Sequence, residues 1–250
     1  MRLNSLFAAA LAFFSSAHAQ APAGYEKIYG EPTTVNLAGR PVIADIEFHT
    51  DRAAAKRGDL KLALVTDVTK FVEETEQDLE NWIAGRRSDC GERWSSQSPR
   101  ISFPQKAIRF AIYLELEYWS CGWNGKGAPA RLAHETGSVG VTLVPYVEDG
   151  KLQARLGAFT LSEQTGLSKY LPLEFVTRRA LEQELVKLNG NPKFYRAPKP
   201  LVDEGFLYEG ISAARTAEGR IVITALYRAR GEEAAFGRIV DRLRATGISQ

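Results

Sequence analysis

Apolar and polar residues alternate along several stretches of the chain, which is the pattern of strands that bury one face. The clearest case is FAIYLELEYWSCGW, residues 110–123, whose alternation already begins at residue 108. One face of this stretch is aliphatic or aromatic and carries Ile108, Phe110, Ile112, Leu114 and Leu116. At about 3.3 Å per residue the pattern predicts a strand of roughly 35 Å. Its apolar face must be shielded from water.

Other alternating runs predict further strands. They lie at residues 42–48, 60–65, 139–146, 152–161, 206–213 and 221–228, with a shorter edge strand near 101–103. Glu148-Asp149-Gly150 is a hairpin turn between two of them. The lead-in at residues 20–41 carries no strand pattern, and residues 136–140 are interpreted as a loop entering a strand.

Apolar residues spaced by three and four predict amphipathic helices at residues 68–86, 167–189 and 232–245. In the second helix the predicted apolar arc consists of Leu173, Val176, Ala180, Leu181, Leu185 and Leu188. Strands joined by tight turns, with helices between them, predict an α+β fold. We expect a long curved antiparallel sheet wrapped around amphipathic helices, in a single domain over residues 42–250.

The first residues, MRLNSLFAAALAFFSSAHAQ, have the features of a secretory signal peptide. Arg2 supplies the positive charge, residues 6–14 are apolar, and Ala17-His18-Ala19 is a cleavage sequence. We therefore expect a signal peptide at residues 1–19 and export to the periplasm or the medium. An N-terminal membrane anchor is the alternative, although the apolar run is about half of the roughly 20 residues that a spanning helix needs. No later run is longer, so the mature chain is expected to lack a transmembrane segment.

The chain contains two cysteines, Cys90 and Cys121. An exported protein folds in an oxidising compartment, where a disulfide between them is favoured. The bond would close a loop of about 32 residues and stabilise the fold by roughly 3–4 kcal/mol. Free thiols and metal ligation are the alternatives, but no CxxC spacing or neighbouring histidine supports a metal site.

Charge and motifs give little support for nucleic-acid binding or catalysis. A net charge of +2 among 250 residues indicates no nucleic-acid partner. His134-Glu135 begins a zinc-protease motif, but Ser138 stands where its second histidine is required. Glu115 and Glu117 form a carboxylate pair that a solvated strand face explains as well. No phosphate loop or dinucleotide fingerprint is present, so we expect no cofactor, no metal and no enzymatic activity.

All four tryptophans lie within residues 82–123 and bracket both cysteines. They are interpreted either as a small aromatic core around the disulfide or as the lining of an apolar groove. On the second interpretation the candidate ligand-binding residues are Trp82, Trp94, Trp119, Trp123, Phe110 and Leu114.

The order of elements resembles the tubular lipid-binding (TULIP-like) superfamily. The segments that carry the resemblance are residues 68–82, 108–119, 139–161 and 173–188, and the hairpin that follows them. The resemblance implies a curved antiparallel sheet around a long helix, with inward apolar faces that hold a lipid. We therefore expect an exported, non-catalytic protein that binds an apolar small molecule or lipid. The alternatives are a structural or interaction protein with a cell-envelope partner, and a hydrolase without a recognisable motif.

Overall fold

The computed structural model describes residues 21–37, 40–104, 107–121, 127–166, 168–170, 173–190 and 197–246. The predicted signal peptide lies outside these residues. Nine strands are present in the described ranges: β1 (Glu26–Leu37), β2 (Arg40–Thr50), β3 (Asp59–Asp67), β4 (Gly91–Ser102), β5 (Ile108–Ser120), β6 (Ala130–Glu148), β7 (Lys151–Ser162), β8 (Leu207–Arg215) and β9 (Ile221–Arg230). The α-helices in the same ranges are α1 (Arg52–Ala55), α2 (Thr69–Ala84), α3 (Leu173–Asn189), α4 (Lys199–Val202) and α5 (Ala234–Thr246), and a 3₁₀ turn spans Ser168–Tyr170.

The strands form two open antiparallel sheets. One has five strands in the order β1-β2-β3-β9-β8, and the other is a four-stranded meander in the order β4-β5-β6-β7. The predicted antiparallel pairing is therefore confirmed, but it is divided between two sheets instead of forming one. Wrapping of a curved sheet around the helices stays a prediction.

Three strands extend into segments where the sequence predicted none. One is β4, which begins at Gly91 although only residues 101–103 were predicted as a strand there. The predicted lead-in, residues 20–41, contains the twelve-residue edge strand β1, which lacks clean alternation and contains Pro32. Proline is tolerated at a sheet edge, because a backbone N–H there is not needed for pairing.

Strand β6 likewise begins at Ala130 and includes residues 136–140, so the predicted loop there is wrong. Strand β6 pairs with the whole of β5, from Ala130 opposite Ser120 to Leu143 opposite Ile108. The periodicity of a single strand does not reveal this pairing.

The turn between β6 and β7 was predicted correctly. Asp149 and Gly150 have φ angles of 51° and 69°, and Glu148 pairs with Lys151. Positive φ at both central residues defines a tight hairpin turn whose twist matches that of the strands. The tip of this hairpin also contacts the other sheet, because the Tyr208 N–H donates to the Gly150 carbonyl at 3.1 Å.

Helix α2 provides a second connection between the sheets. At its start the Ile221 N–H of β9 donates to the Thr69 hydroxyl at 2.8 Å, and the Val68 N–H donates to the Ile221 carbonyl at 2.9 Å. The helix then leads directly into the β4 edge of the four-stranded sheet. A continuous hydrophobic core includes buried residues of both sheets, among them Phe48, Leu62, Leu143 and Tyr227.

Helix α3 is less buried than its sequence predicted. Leu181 and Leu185 are buried and Leu188 is half-buried, but Val176 is 58% exposed and Ala180 is also exposed. The side chain of Leu173 is outside the described set. The helix packs mainly against the edge strand β7, so one narrow side of the predicted arc meets the core.

The disulfide between Cys90 and Cys121 is present, as predicted, with the two Cα atoms 5.5 Å apart. Cys90 precedes β4 and Cys121 follows β5, so the bond connects the ends of two paired strands. It lies where the chain has just left α2. The bond therefore restrains the α2–β4 connection.

We expect replacement of both cysteines, Cys90→Ala with Cys121→Ala, to lower the free energy of unfolding by about 3–4 kcal/mol, because the unfolded chain regains the freedom of a loop of roughly 32 residues. Urea unfolding of the oxidised protein and the double variant measures the difference. A variant as stable as the oxidised protein would contradict the assigned role of the bond.

Candidate functional site

The inner face of the four-stranded sheet is covered unevenly. It carries the alternate residues predicted for β5, and cross-strand pairing adds Val139 and Val141 of β6 beside Ile112 and Phe110. At one end of this face Ile108 and Leu143 are 1% and 0% exposed. Further along β5, by contrast, Phe110, Ile112 and Leu114 are only half-buried. The far end of the apolar face is thus not closed by the core.

A cavity of about 310 Å³ lies over this half-buried region. We call it the apolar cavity. Helices α2 and α3 form its sides, and strands β4, β5, β6 and β7 form its floor. It is lined by Thr75, Glu76, Leu79, Trp82, Ile83, Trp94, Pro99, Arg100, Ile101, Phe110, Ala111, Ile112, Leu114, Val139, Val141, Phe159, Thr177 and Leu181.

The lining of the apolar cavity is almost entirely hydrocarbon. Among the described residues of the lining, only Glu76 and Arg100 carry a charge, and the Arg100 side chain is exposed. Glu76 is held by the sheet edge, because the Ile101 N–H donates to its Oε1 at 2.6 Å. The Thr75 hydroxyl donates to the Phe71 carbonyl within α2 at 2.7 Å. Because these polar groups already have partners, the interior is suited to apolar contacts.

The structure brings four of the six candidate residues together around this cavity: Trp82, Trp94, Phe110 and Leu114. Trp82 comes from α2, and Trp94 faces inward from β4 opposite Leu116. Trp123 lies outside the described residues. Contact of any of these side chains with a ligand stays a prediction.

Trp119 lies on the opposite side of the four-stranded sheet. It is nine residues from Phe110 along one strand, and an odd separation places two side chains on opposite faces. The Arg93 guanidinium lies 4.1 Å from the centre of its ring, and its indole N–H donates to Glu117 Oε2 at 3.0 Å. These contacts account for Trp119 without a ligand.

The carboxylates considered for catalysis also lie on that outer face. Glu117 pairs across the strands with His134, which is exposed. Hydrogen bonds from Arg131 and then from the Trp119 indole hold the pKa of Glu117 below its usual range. A carboxylate stabilised in its ionised form is poorly suited to act as a general acid.

The sequence did not identify the contribution of β6, β7 and α3 to the cavity. Val139, Val141 and Phe159 belong to predicted strands, but only strand register brings them together. Val139 and Val141 lie opposite Ile112 and Phe110 of β5, and Phe159 lies opposite Val141. Thr177 and Leu181 reach the site because α3 lies against β7. The alternation in β6 and β7 was the available signal. It predicts which residues share one face of a strand, but it does not predict which residues of other elements that face contacts.

Within the described ranges, no group of three or more His, Cys, Asp or Glu side chains is arranged to hold a metal ion. In the same part of the chain, none of the helices combines the length and apolar character needed to cross a membrane.

No protein-family model matches the sequence, and no curated protein matches it. Among solved structures, the chain is similar to a crystal structure titled lipopolysaccharide binding protein, with a TM-score of 0.33 and 9% identity. The match covers 66% of this chain and 32% of the other, so it spans about a third of that protein's length. A likeness this distant carries no argument about function, and the resemblance to TULIP-like modules stays a prediction.

The Glu76 hydrogen bond allows a test of the cavity wall. We expect Glu76→Ala to destabilise the protein by about 1–3 kcal/mol, because it leaves the Ile101 N–H without its acceptor beside apolar surface. Glu76→Gln keeps an acceptor oxygen and is the matched control, expected to lose less than half as much. Urea unfolding of both variants checks the order, and equal stability of Glu76→Ala and the unmodified protein would contradict this role.

Proposed function

We propose that this chain is an exported, non-catalytic binding protein for an apolar or amphipathic ligand such as a lipid. The observation that carries the proposal is the apolar cavity between the four-stranded sheet and helices α2 and α3. Its volume of about 310 Å³ lies at the lower end of the range of small-molecule sites, roughly 300–1,000 Å³.

The chemistry of the lining supports an apolar occupant. Leu79, Ile112 and Leu114 are half-buried around the cavity, so they leave apolar surface that a ligand can cover. Covering such surface is favourable by about 25 cal/mol per Å². Since Thr75 and Glu76 already have hydrogen-bond partners, an apolar ligand would not have to satisfy them.

The location of the acidic and basic side chains favours binding over catalysis. Glu117 and His134 lie on the outer face of the sheet, and neither they nor Glu115 and Glu135 line the apolar cavity. The hydrolase alternative needs these groups to converge beside a bound substrate. No convergence of that kind accompanies the cavity among its described lining residues.

Export is part of the proposal and is supported by two features. The N-terminal residues have the composition of a signal peptide, and the Cys90–Cys121 disulfide is typical of proteins that fold in oxidising compartments. The periplasm or the medium would be the place where the ligand is met.

The binding proposal is tested with the purified mature protein and Leu114→Trp, which places a larger side chain in the cavity. Native mass spectrometry should detect a co-purifying lipid or fatty acid on the unmodified protein, and Leu114→Trp should reduce its occupancy at least about fivefold, because an indole takes up the space of the ligand.

Leu132→Trp is the matched control, since Leu132 is 71% exposed on the same sheet, and its occupancy should be unchanged. Near-ultraviolet circular dichroism confirms that both variants are folded. Absence of any bound apolar molecule, together with no binding of an added apolar fluorophore, would rule out the proposed function.

Helix α3 favours a second candidate function, interaction with an envelope protein. Its Phe175 and Val186 are 64% and 72% exposed and, being 11 residues apart, lie on nearly the same side of the helix. An exposed apolar strip of this kind is a feature of interaction surfaces. Cross-linking in the envelope, compared between the unmodified protein and Phe175→Ser with Val186→Ser, distinguishes this function from ligand binding.

A further inference from the structure

A second pocket adjoins the apolar cavity at the end of α2. It has a volume of about 260 Å³ and is lined by Gly85, Arg86, Arg87, Ser88, Glu92 and Trp94. We call it the arginine pocket. Trp94 lines both spaces, and Trp82 and Ile83 of the cavity lie three and two residues before Gly85. A molecule with one apolar and one polar end could therefore occupy both.

The arginine pocket carries a net positive charge. Arg86 and Arg87 outnumber Glu92, and no ion pair joins either guanidinium to another described part of the chain. Glu92 is directed to a different partner, because the Trp94 indole N–H donates to its Oε2 at 2.9 Å. Two guanidinium groups are thus left to attract an anion.

Arg86 is positioned by an aromatic ring of the cavity. Its guanidinium carbon lies 4.2 Å from the centre of the Trp82 ring, a distance that allows a cation–π contact. Among the described residues no hydrogen bond or ion pair engages the Arg86 guanidinium, so its N–H groups stay available to an anion. Those N–H groups have the fork geometry that matches carboxylate and phosphate oxygens.

The backbone that carries the pocket is fixed by hydrogen bonds. The Trp94 N–H donates to the Arg86 carbonyl, and the Ser88 N–H donates to the Glu92 carbonyl, both at 3.1 Å. The Arg93 side chain donates to the Ser88 and Asp89 carbonyls at 3.0 and 3.1 Å. Since the Cys90–Cys121 bond anchors the same turn, the pocket is largely formed before any ligand arrives.

Arg86 and Arg87 follow the C-terminal end of α2, and that location accounts for one positive charge but not for two. A cation near a helix C-terminus is favourable because that end carries about half a negative charge. Two guanidinium groups exceed that charge, so an anion in the pocket still meets a positive field. The neighbouring apolar cavity offers space for a hydrocarbon chain attached to such an anion.

We propose that the arginine pocket holds the anionic headgroup, a carboxylate or a phosphate, of a single-chain amphiphile whose chain lies in the apolar cavity. This inference rests on the proposed function. The cavity volume of about 310 Å³ corresponds to about ten water molecules at roughly 30 Å³ each. That space suits one chain of moderate length and not the two chains of a phospholipid.

The test compares three ligands with the same chain: decanoate, decyl phosphate and 1-decanol. Isothermal titration calorimetry measures each with the unmodified mature protein, with Arg86→Gln/Arg87→Gln, and with Arg155→Gln/Arg179→Gln. The last variant removes two exposed arginines that line neither pocket and controls for net charge. All four arginines are exposed, so the variants are expected to fold, and thermal unfolding checks this.

The unmodified protein should bind the better of the two anions at least about tenfold more tightly than 1-decanol, in line with charge-assisted hydrogen bonds. Arg86→Gln/Arg87→Gln should lose this preference while its affinity for 1-decanol is unchanged, and the charge control should keep it. The ratio of decanoate to decyl phosphate affinity identifies which headgroup fits.

Two results would overturn the inference and leave the proposed function standing: equal affinity of all three ligands, or an anion preference that Arg86→Gln/Arg87→Gln retains. If none of the three ligands binds the unmodified protein, the proposed function and the headgroup assignment both fail. Binding of the anions alone, abolished by Arg86→Gln/Arg87→Gln, supports both.

Discussion

The structure depends on the apolar face of one four-stranded sheet, which the rest of the described chain covers only in part. This face is continuous from Ile108 to Leu116, because residues alternate along β5 and because β6 pairs with the whole of β5. The shared core closes one end, where Ile108 and Leu143 are almost fully buried. Helices α2 and α3 contact the edge strands β4 and β7, and the cavity lies between them. A sheet wider than its two flanking helices leaves apolar surface that something else must cover.

Helix α2 has several roles in this arrangement. Its first turn is hydrogen-bonded to β9 of the five-stranded sheet, its middle supplies the Glu76 carboxylate to the β4 edge, and its last turn carries Trp82. The turn that follows is anchored by the disulfide and by Arg93. Unpaired strand edges are liable to associate with other chains, and here the helix covers that edge. The same contact fixes one side of the cavity.

Apolar and charged surfaces meet at the Trp82 and Trp94 side chains. Trp82 lies under the Arg86 guanidinium, and Trp94 donates to Glu92 while lining both pockets. Tryptophan suits such a boundary because it combines a large apolar ring with one N–H donor. An amphipathic ligand presents the same change from hydrocarbon to charge along its length. The proposed function and the proposed headgroup site are therefore two parts of one arrangement.

The sequence by itself predicted most of the strands and the three long helices and favoured a bond between the two cysteines, but it missed β1 and the first parts of β4 and β6. Alternation predicted β5 and the turn at Asp149-Gly150, and the helical period predicted α2, because these patterns depend on near neighbours in the chain. The odd separation between Phe110 and Trp119 along β5 already predicted that their side chains lie on opposite faces. Trp119 was nevertheless included among the candidate ligand-binding residues. Only the tertiary structure decided that the strands form two sheets, that Val176 of α3 remains exposed, and that Trp82, Trp94 and Phe159 surround one space. Register and helix position bring together residues up to 106 positions apart in the sequence, Thr75 and Leu181, and no local pattern encodes that proximity.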